Sequence, residues 1–136
     1  DFAVRVKLNP VRDLIKGKDI IIIEDSIIRG TTAKTRVRAL RELGVNKVHM
    51  RISCPPHQFP CYYGIDFSSK GELIAAQKPV EELRKYLGLD SLHYLSIEGM
   101  LEASGVENPE QNFCKACFDG SYPVPFDPNF TKQCMG

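Results

Sequence analysis

The chain opens its clearest pattern at residues 20–23, four consecutive isoleucines that end in two carboxylates, Glu24 and Asp25. A short, unbroken apolar run of this kind predicts a strand over 19–24 buried on both faces, as in a parallel sheet. A turn containing Gly30, Thr31 and Thr32 follows. Thr31 or Thr32 can cap a helix in which Ala33, Val37 and Leu40 recur at i, i+4 and i+7, with Gly44 as its stop. Lys34, Arg36, Arg38 and Arg41 fill the other faces of that helix and read as its solvated side. KVHMRIS (47–53) is short, bounded and apolar enough for a second strand. A right-handed crossover makes the two strands parallel.

Beyond the second strand the pattern shortens. Ser69 and Glu72 have capping-box spacing ahead of Leu73, Ile74 and Ala75. Pro79 begins a helix with Val80, Leu83 and Leu87 on one face and Gly88 at its end. Ser96 can cap a third helix, from Ile97 to about Ala103. Residues 108–136 are rich in Pro, Gly, Phe and Asn and read as irregular chain. The expected fold class is α/β: a parallel-sheet βαβ unit over 1–107 with short helices, then an irregular, cysteine-containing C-terminal tail over 108–136.

The chemistry gathers where the first strand ends, the usual place for function in a parallel sheet. Two carboxylates accept hydrogen bonds from sugar hydroxyls or hold Mg²⁺ through oxygen. The N–H groups of a Gly/Thr turn at a helix N-terminus cradle a phosphate. An apolar run and two acids alone would fit a plain strand with a solvated end; the whole string IIIIEDSIIRGTT, with RGTT five residues after the first acid, favours a ribose-phosphate site.

That string resembles the signature of the type I phosphoribosyltransferases. With VRVKLNPVRDLIKGKDIIIIEDSIIRGTT (4–32), RISCPPHQFPCYYGIDF (51–67) and CKACFDGSYP (114–123), the resemblance narrows to one family, the iron–sulfur-containing branch of the glutamine phosphoribosylpyrophosphate amidotransferases, and runs from about Val4 to Pro123. The departure is Glu24, where the family usually has Asp; it keeps the charge and moves the carboxylate on the order of 1.5 Å. The resemblance implies a partial type I phosphoribosyltransferase fold, with residues 1–107 the C-terminal part of that domain and 108–136 a cluster-binding tail.

The family displaces pyrophosphate from phosphoribosyl pyrophosphate with ammonia from glutamine, giving 5-phosphoribosylamine in the first step of purine biosynthesis. The resemblance therefore implies that Glu24 and Asp25 secure the ribose hydroxyls and Mg²⁺. Arg29, Gly30, Thr31 and Thr32 would hold the 5′-phosphate, with Ser26 at the loop entrance. Lys7 matches a lysine of the loop that closes over pyrophosphate. Purine nucleotides, which carry the same 5′-phosphate ribose, are the expected inhibitors. An N-terminal glutaminase domain is expected upstream of a chain that reads as a fragment, inactive alone, of a full-length enzyme expected to be a homo-oligomer.

Five cysteines without secretory context favour metal binding or free thiols over disulfides. Cys114 and Cys117 form a C-x-x-C pair that alone fits a zinc half-site, a redox pair or coincidence. By the resemblance they and Cys61 are three ligands of a [4Fe–4S] cluster, the fourth family ligand lying before residue 1. Cys54 and Cys134 read as ordinary thiols, and His49, His57 and His93 as structural or surface residues. A net charge of +1 argues against a nucleic-acid or anionic-membrane surface. No apolar stretch approaches the roughly 20 residues that span a bilayer. The expected location is the cytoplasm, with an organelle left open. Two rivals remain: another phosphoribosyltransferase-fold enzyme or regulator, which leaves the cysteines unexplained, and a non-catalytic metal module built on Cys61, Cys114 and Cys117.

Overall fold

The computed structural model describes residues 12–65 and 69–125; Lys7 and Cys134 lie outside the described residues. Helix α1 (Arg12–Ile15) leads into strand β1 (Asp19–Glu24), helix α2 (Thr31–Glu42) and strand β2 (Lys47–Ile52). A 3-10 turn (Lys70–Glu72), α3 (Ile74–Gln77) and α4 (Val80–Leu87) precede strand β3 (Ser91–Tyr94). Three short helices follow: α5 (Ile97–Ala103), α6 (Pro109–Asn112) and α7 (Ala116–Asp119). The strands form one parallel sheet in the order β1-β2-β3, with Asp19 opposite Lys47, Glu24 opposite Ile52 and Ile52 opposite Tyr94.

Strand alternation decides what each face meets. Val48, Met50 and Ile52 of the central strand point to one side and are buried, together with Leu92 of β3. Val37 and Leu40 of α2 and Leu83 and Leu87 of α4 complete that core. Ile20 and Ile22 pack against it, half-buried. Ile21 and Ile23 point the other way and are 61% and 76% exposed. The expectation of a strand buried on both faces is therefore corrected. Among the described residues β1 is an edge strand, and α2 and α4 cover a single sheet face.

Local signals held at most element ends. Ser96 Oγ accepts the Gly99 N–H at 3.0 Å and caps α5. Gly88, at φ +76°, closes α4. Thr31 and Thr32 do not cap α2; Gly30 stands at the cap position and both threonines lie in the first turn. The Ser69/Glu72 capping box does not form. Leu73 is extended and breaks the helix there, and the Glu72 carboxylate turns to Arg29 instead. Strand β3 was not foreseen, since SLHY offers one fully buried apolar residue, Leu92.

The tail expected to be irregular contains α6 and α7 and is fastened by protein groups. Gln58 and Phe59 donate their N–H groups to the Cys117 carbonyl at 3.0 and 3.1 Å. The Tyr122 hydroxyl donates to the Pro60 carbonyl at 2.7 Å, and the Tyr63 hydroxyl to that of Val124 at 2.6 Å. The rings of Tyr62 and Tyr63 pack on Tyr122.

Leu83 is fully buried between helix and sheet, so Leu83→Ala is expected to cost about 3 kcal/mol of unfolding free energy. Ile23→Thr, on the open face, should stay within about 0.5 kcal/mol. Denaturant midpoints of the two variants check both.

Candidate functional site

The loop after β1 is built by a strand that stops and a helix that starts with no side-chain cap. The last ladder bond runs from the Ser53 N–H to the Glu24 carbonyl at 2.9 Å. Ile27, buried, plugs the following loop into the core, and the Ile28 carbonyl accepts the Ile74 N–H at 2.8 Å. Gly30 then takes φ +75°, and a Cβ there would stand 2.9 Å from Ile74 Cδ1. Both the left-handed conformation and the close approach of Ile74 require glycine. The chain enters α2 with exposed Thr31 and Thr32, and no side chain caps its first turn. The leading N–H groups of a helix have no acceptor within it, so those of Thr31, Thr32 and Ala33 remain for an anion. An open hollow of about 380 Å³ lies over this turn, lined by residues 24–33 and Arg36.

Charge is distributed unevenly around the hollow. Asp25 is exposed, and its Oδ1 accepts the Ser26 N–H at 2.6 Å and the Ser26 hydroxyl at 3.2 Å. Arg29, at the opposite lip, is 63% exposed and pairs with Glu72 at 3.2 Å. Glu24 differs from both: its Oε1 meets Arg36 Nη1 in an ion pair, with the two side chains only 21% and 23% exposed. The solvated reading of the α2 cations thus holds for Arg38, which pairs with Glu42 on the surface, and fails for two others. Arg36 faces the hollow. Arg41 clamps the sheet end, donating to the Asp90 carboxylate at 2.5 Å and the Asn46 carbonyl at 2.7 Å. Helical periodicity could not reveal either, because each partner comes from another strand or loop.

The cysteines lie in a second region, where the loop after β2 meets α7. Cys54, Cys61, Cys114 and Cys117 are free thiols. Burial pushes the Cys117 thiol up to about 11, with the charges of Cys61 and Cys114 adding to the rise. No group of three His, Cys, Asp or Glu among the described residues is arranged to hold a metal ion. Cys54 is pushed up to about 11 by burial and then by Asp25, so it is protonated at neutral pH. Its Sγ lies 3.9 Å from Nδ1 of His57, a buried residue whose ring packs on Phe118 at 4.8 Å. His57 and Cys54 thus bridge, in space, the acidic loop and the cysteine region.

Two outcomes are expected. Gly30→Ala should cost at least about 1–2 kcal/mol, the penalty for a side chain in left-handed backbone, before the Ile74 contact is added; thermal unfolding of the variant checks it. Burial holds the His57 pKa below its usual 6.5 against the opposing pull of Asp25. The folded chain therefore favours neutral imidazole, and this contribution is complete above the unfolded-state pKa. It is lost as pH falls below about 6.5 toward the lower folded-state value. His57→Gln should flatten the fall in stability over that window, measured by urea unfolding at a series of pH values.

No family model matches the chain. It is 52% identical over 124 residues to the amidophosphoribosyltransferase of Synechocystis, covering 91% of this chain and 25% of that protein. Against the chloroplastic amidophosphoribosyltransferase of Vigna aconitifolia it is 48% identical over 124 residues, again covering 91% and 25%. Among solved structures, the glutamine phosphoribosylpyrophosphate amidotransferase of B. subtilis complexed with ADP and GMP superposes with a TM-score of 0.82 at 40% identity, covering 96% of this chain and 30% of that one. The chain spans about a quarter of the length of the relatives it matches. Sequence and fold agree: this chain is a homologue of one stretch of the amidophosphoribosyltransferases, in the C-terminal, phosphoribosyltransferase part of the enzyme.

Proposed function

We propose that this chain supplies the ribose-phosphate site of an amidophosphoribosyltransferase, the enzyme that replaces the pyrophosphate of phosphoribosyl pyrophosphate with ammonia. The observation that carries this reading is the hollow over the start of α2, where an uncapped helix turn and an exposed carboxylate face the same space. The 5′-phosphate lies on the N–H groups of Thr31 and Thr32, with both hydroxyls and Arg29 around it and Gly30 admitting it closely. Asp25 accepts from the ribose hydroxyls, with Ser26 fixing its carboxylate and Glu24 at the back of the site. These contacts hold the anomeric carbon in place and turn an encounter in solution into a positioned reaction. Ammonia arrives as the nucleophile, so no residue here need act as a base.

Asp25 offers the hard oxygen donor that Mg²⁺ prefers, and Mg²⁺ supplies charge neutralisation for the departing pyrophosphate. Cys61, Cys114 and Cys117 are the soft donor set suited to a [4Fe–4S] cluster, whose fourth thiolate comes from elsewhere. Purine nucleotides, like the ADP and GMP of the B. subtilis relative, bring a ribose phosphate of the same shape and are proposed as ligands. A glutaminase domain and a homo-oligomeric assembly complete the proposed enzyme. The proposed compartment is the cytoplasm or, as for the chloroplastic relative, an organelle.

Titration of this chain with ribose 5-phosphate should shift the amide resonances of Arg29–Thr32; unmoved amides at millimolar ligand would defeat the site. In the full-length enzyme Asp25→Asn should lower phosphoribosyl transfer on the order of 100-fold or more with an unchanged fold, the scale of losing one contact made at the transition state. Steady-state rates and circular dichroism decide it.

A further inference from the structure

A second open hollow, of about 350 Å³, lies where the loop before α2 meets α3 and α4, with Arg29, Glu72, Lys78 and Tyr86 in its walls. Its shape follows from the core beneath. Val37 of α2 and Leu83 of α4 share that core. Lys34 precedes the one and Tyr86 follows the other by three residues, so each stands on the same helix face as its buried neighbour. Lys34 Nζ accordingly sits over the Tyr86 ring, 3.8 Å from its centre. Lys78, just ahead of α4, brings its Nζ to 5.9 Å from the same centre.

Elsewhere on the surface cations are matched with acids, as Arg38 is with Glu42 and Arg84 with Glu81. Among the described residues Lys34 and Lys78 meet no carboxylate at ion-pair distance. Glu72 is the single acid lining the hollow, and it is committed to Arg29 at 3.2 Å. A guanidinium carries five N–H donors, so Arg29 keeps donors beyond those that Glu72 takes. The two ammonium groups on the ring lie under about 10 Å apart, a Debye length at roughly 0.1 M salt, and so repel each other. The negative face of the ring offsets part of that repulsion. An anion set between them removes more.

We propose that this hollow is a second anion site, separate from the turn at the start of α2, and that it takes a diphosphate group. A single phosphate meets one ammonium at a time across this span, whereas two linked phosphates reach Lys34 and Lys78 together, with Arg29 beside them. Lysine serves phosphate as a point charge and demands no one geometry, which suits an open hollow. The Tyr86 ring gathers the cations. Arg29 lines both hollows, so the two sites are neighbours that share one side chain. The second site stands whether or not the first takes ribose phosphate.

The test titrates the whole chain with inorganic diphosphate at constant ionic strength and follows the backbone amides of Lys78 and Tyr86 by NMR. Both should shift and saturate at millimolar ligand, and orthophosphate should bind there more weakly. Lys78→Met should weaken diphosphate binding at these amides about fivefold, the worth of one unit charge at contact in a water-like medium. Lys78→Arg should keep the wild-type affinity. Tyr86→Leu should lower it by freeing the lysines, and Tyr86→Phe should not. In every variant the amides of Thr31 and Thr32 should respond to ribose 5-phosphate as in the wild type. Should they not respond even in the wild type, the ribose-phosphate reading fails, and the diphosphate comparison still decides the second site. Amides of Lys78 and Tyr86 that diphosphate leaves unmoved overturn the inference. So does a response no stronger than that to sulfate, or a Lys78→Met effect no larger than that of Lys47→Met, at an exposed lysine where β2 begins.

Discussion

Everything at the candidate site depends on where the parallel pairing of β1 with β2 stops. The two strands run in register from Asp19 opposite Lys47 to Glu24 opposite Ile52, and the Ser53 N–H closes the ladder on the Glu24 carbonyl. One residue later the chain must leave the sheet, so Asp25 stands in solvent while Glu24 is still held at strand depth. A slip of the pairing by one residue would exchange the faces on which the two acids stand. The core side of β2, through Val48, Met50 and Ile52, fixes that register by burial, because a slip would move the whole apolar set into water.

The helix side is constrained just as tightly. Gly30 is pressed against Ile74, and the Ile28 carbonyl takes the Ile74 N–H, so the turn into α2 is packed against α3 rather than hanging free. Arg29 is drawn toward the same neighbourhood by Glu72. A residue that sequence spacing assigned to a capping box thus serves the loop. Such a turn keeps its N–H groups oriented without a ligand, the arrangement that limits the ordering cost of binding.

Much of this was legible in the chain. The isoleucine run, the apolar i, i+4, i+7 face of α2, the Pro79 and Gly88 ends of α4 and the Ser96 cap all follow from local stereochemistry, and the structure has them. What was not legible is long-range. Whether Ile21 and Ile23 are buried depends on what lies against their face, and no periodicity carries that information. Strand β3 is stabilised by pairing with β2 rather than by its own four residues. Arg36 looks like any cation on a solvated helix until Glu24 is placed beside it. In the cysteine region, spacing joined Cys114 to Cys117 and the resemblance added Cys61, whereas the hydrogen bonds that fasten Cys117 to Gln58 and Phe59 needed the fold.

The fastening of the tail has a consequence for the chain as a polymer. Hydrogen bonds from Gln58 and Phe59 to the Cys117 carbonyl close a ring whose shorter span, from Phe59 to Cys117, is 117 − 59 = 58 residues. Closing a flexible loop of that length costs roughly 3.6 kcal/mol in its length-dependent part. Protein contacts meet that cost, with the tyrosine pairs at 62, 63 and 122 reinforcing the seam. Two distant segments are thereby held as one hem, and any change that loosens it acts on both ends of the ring at once: the loop leaving the central strand and the chain beyond α6.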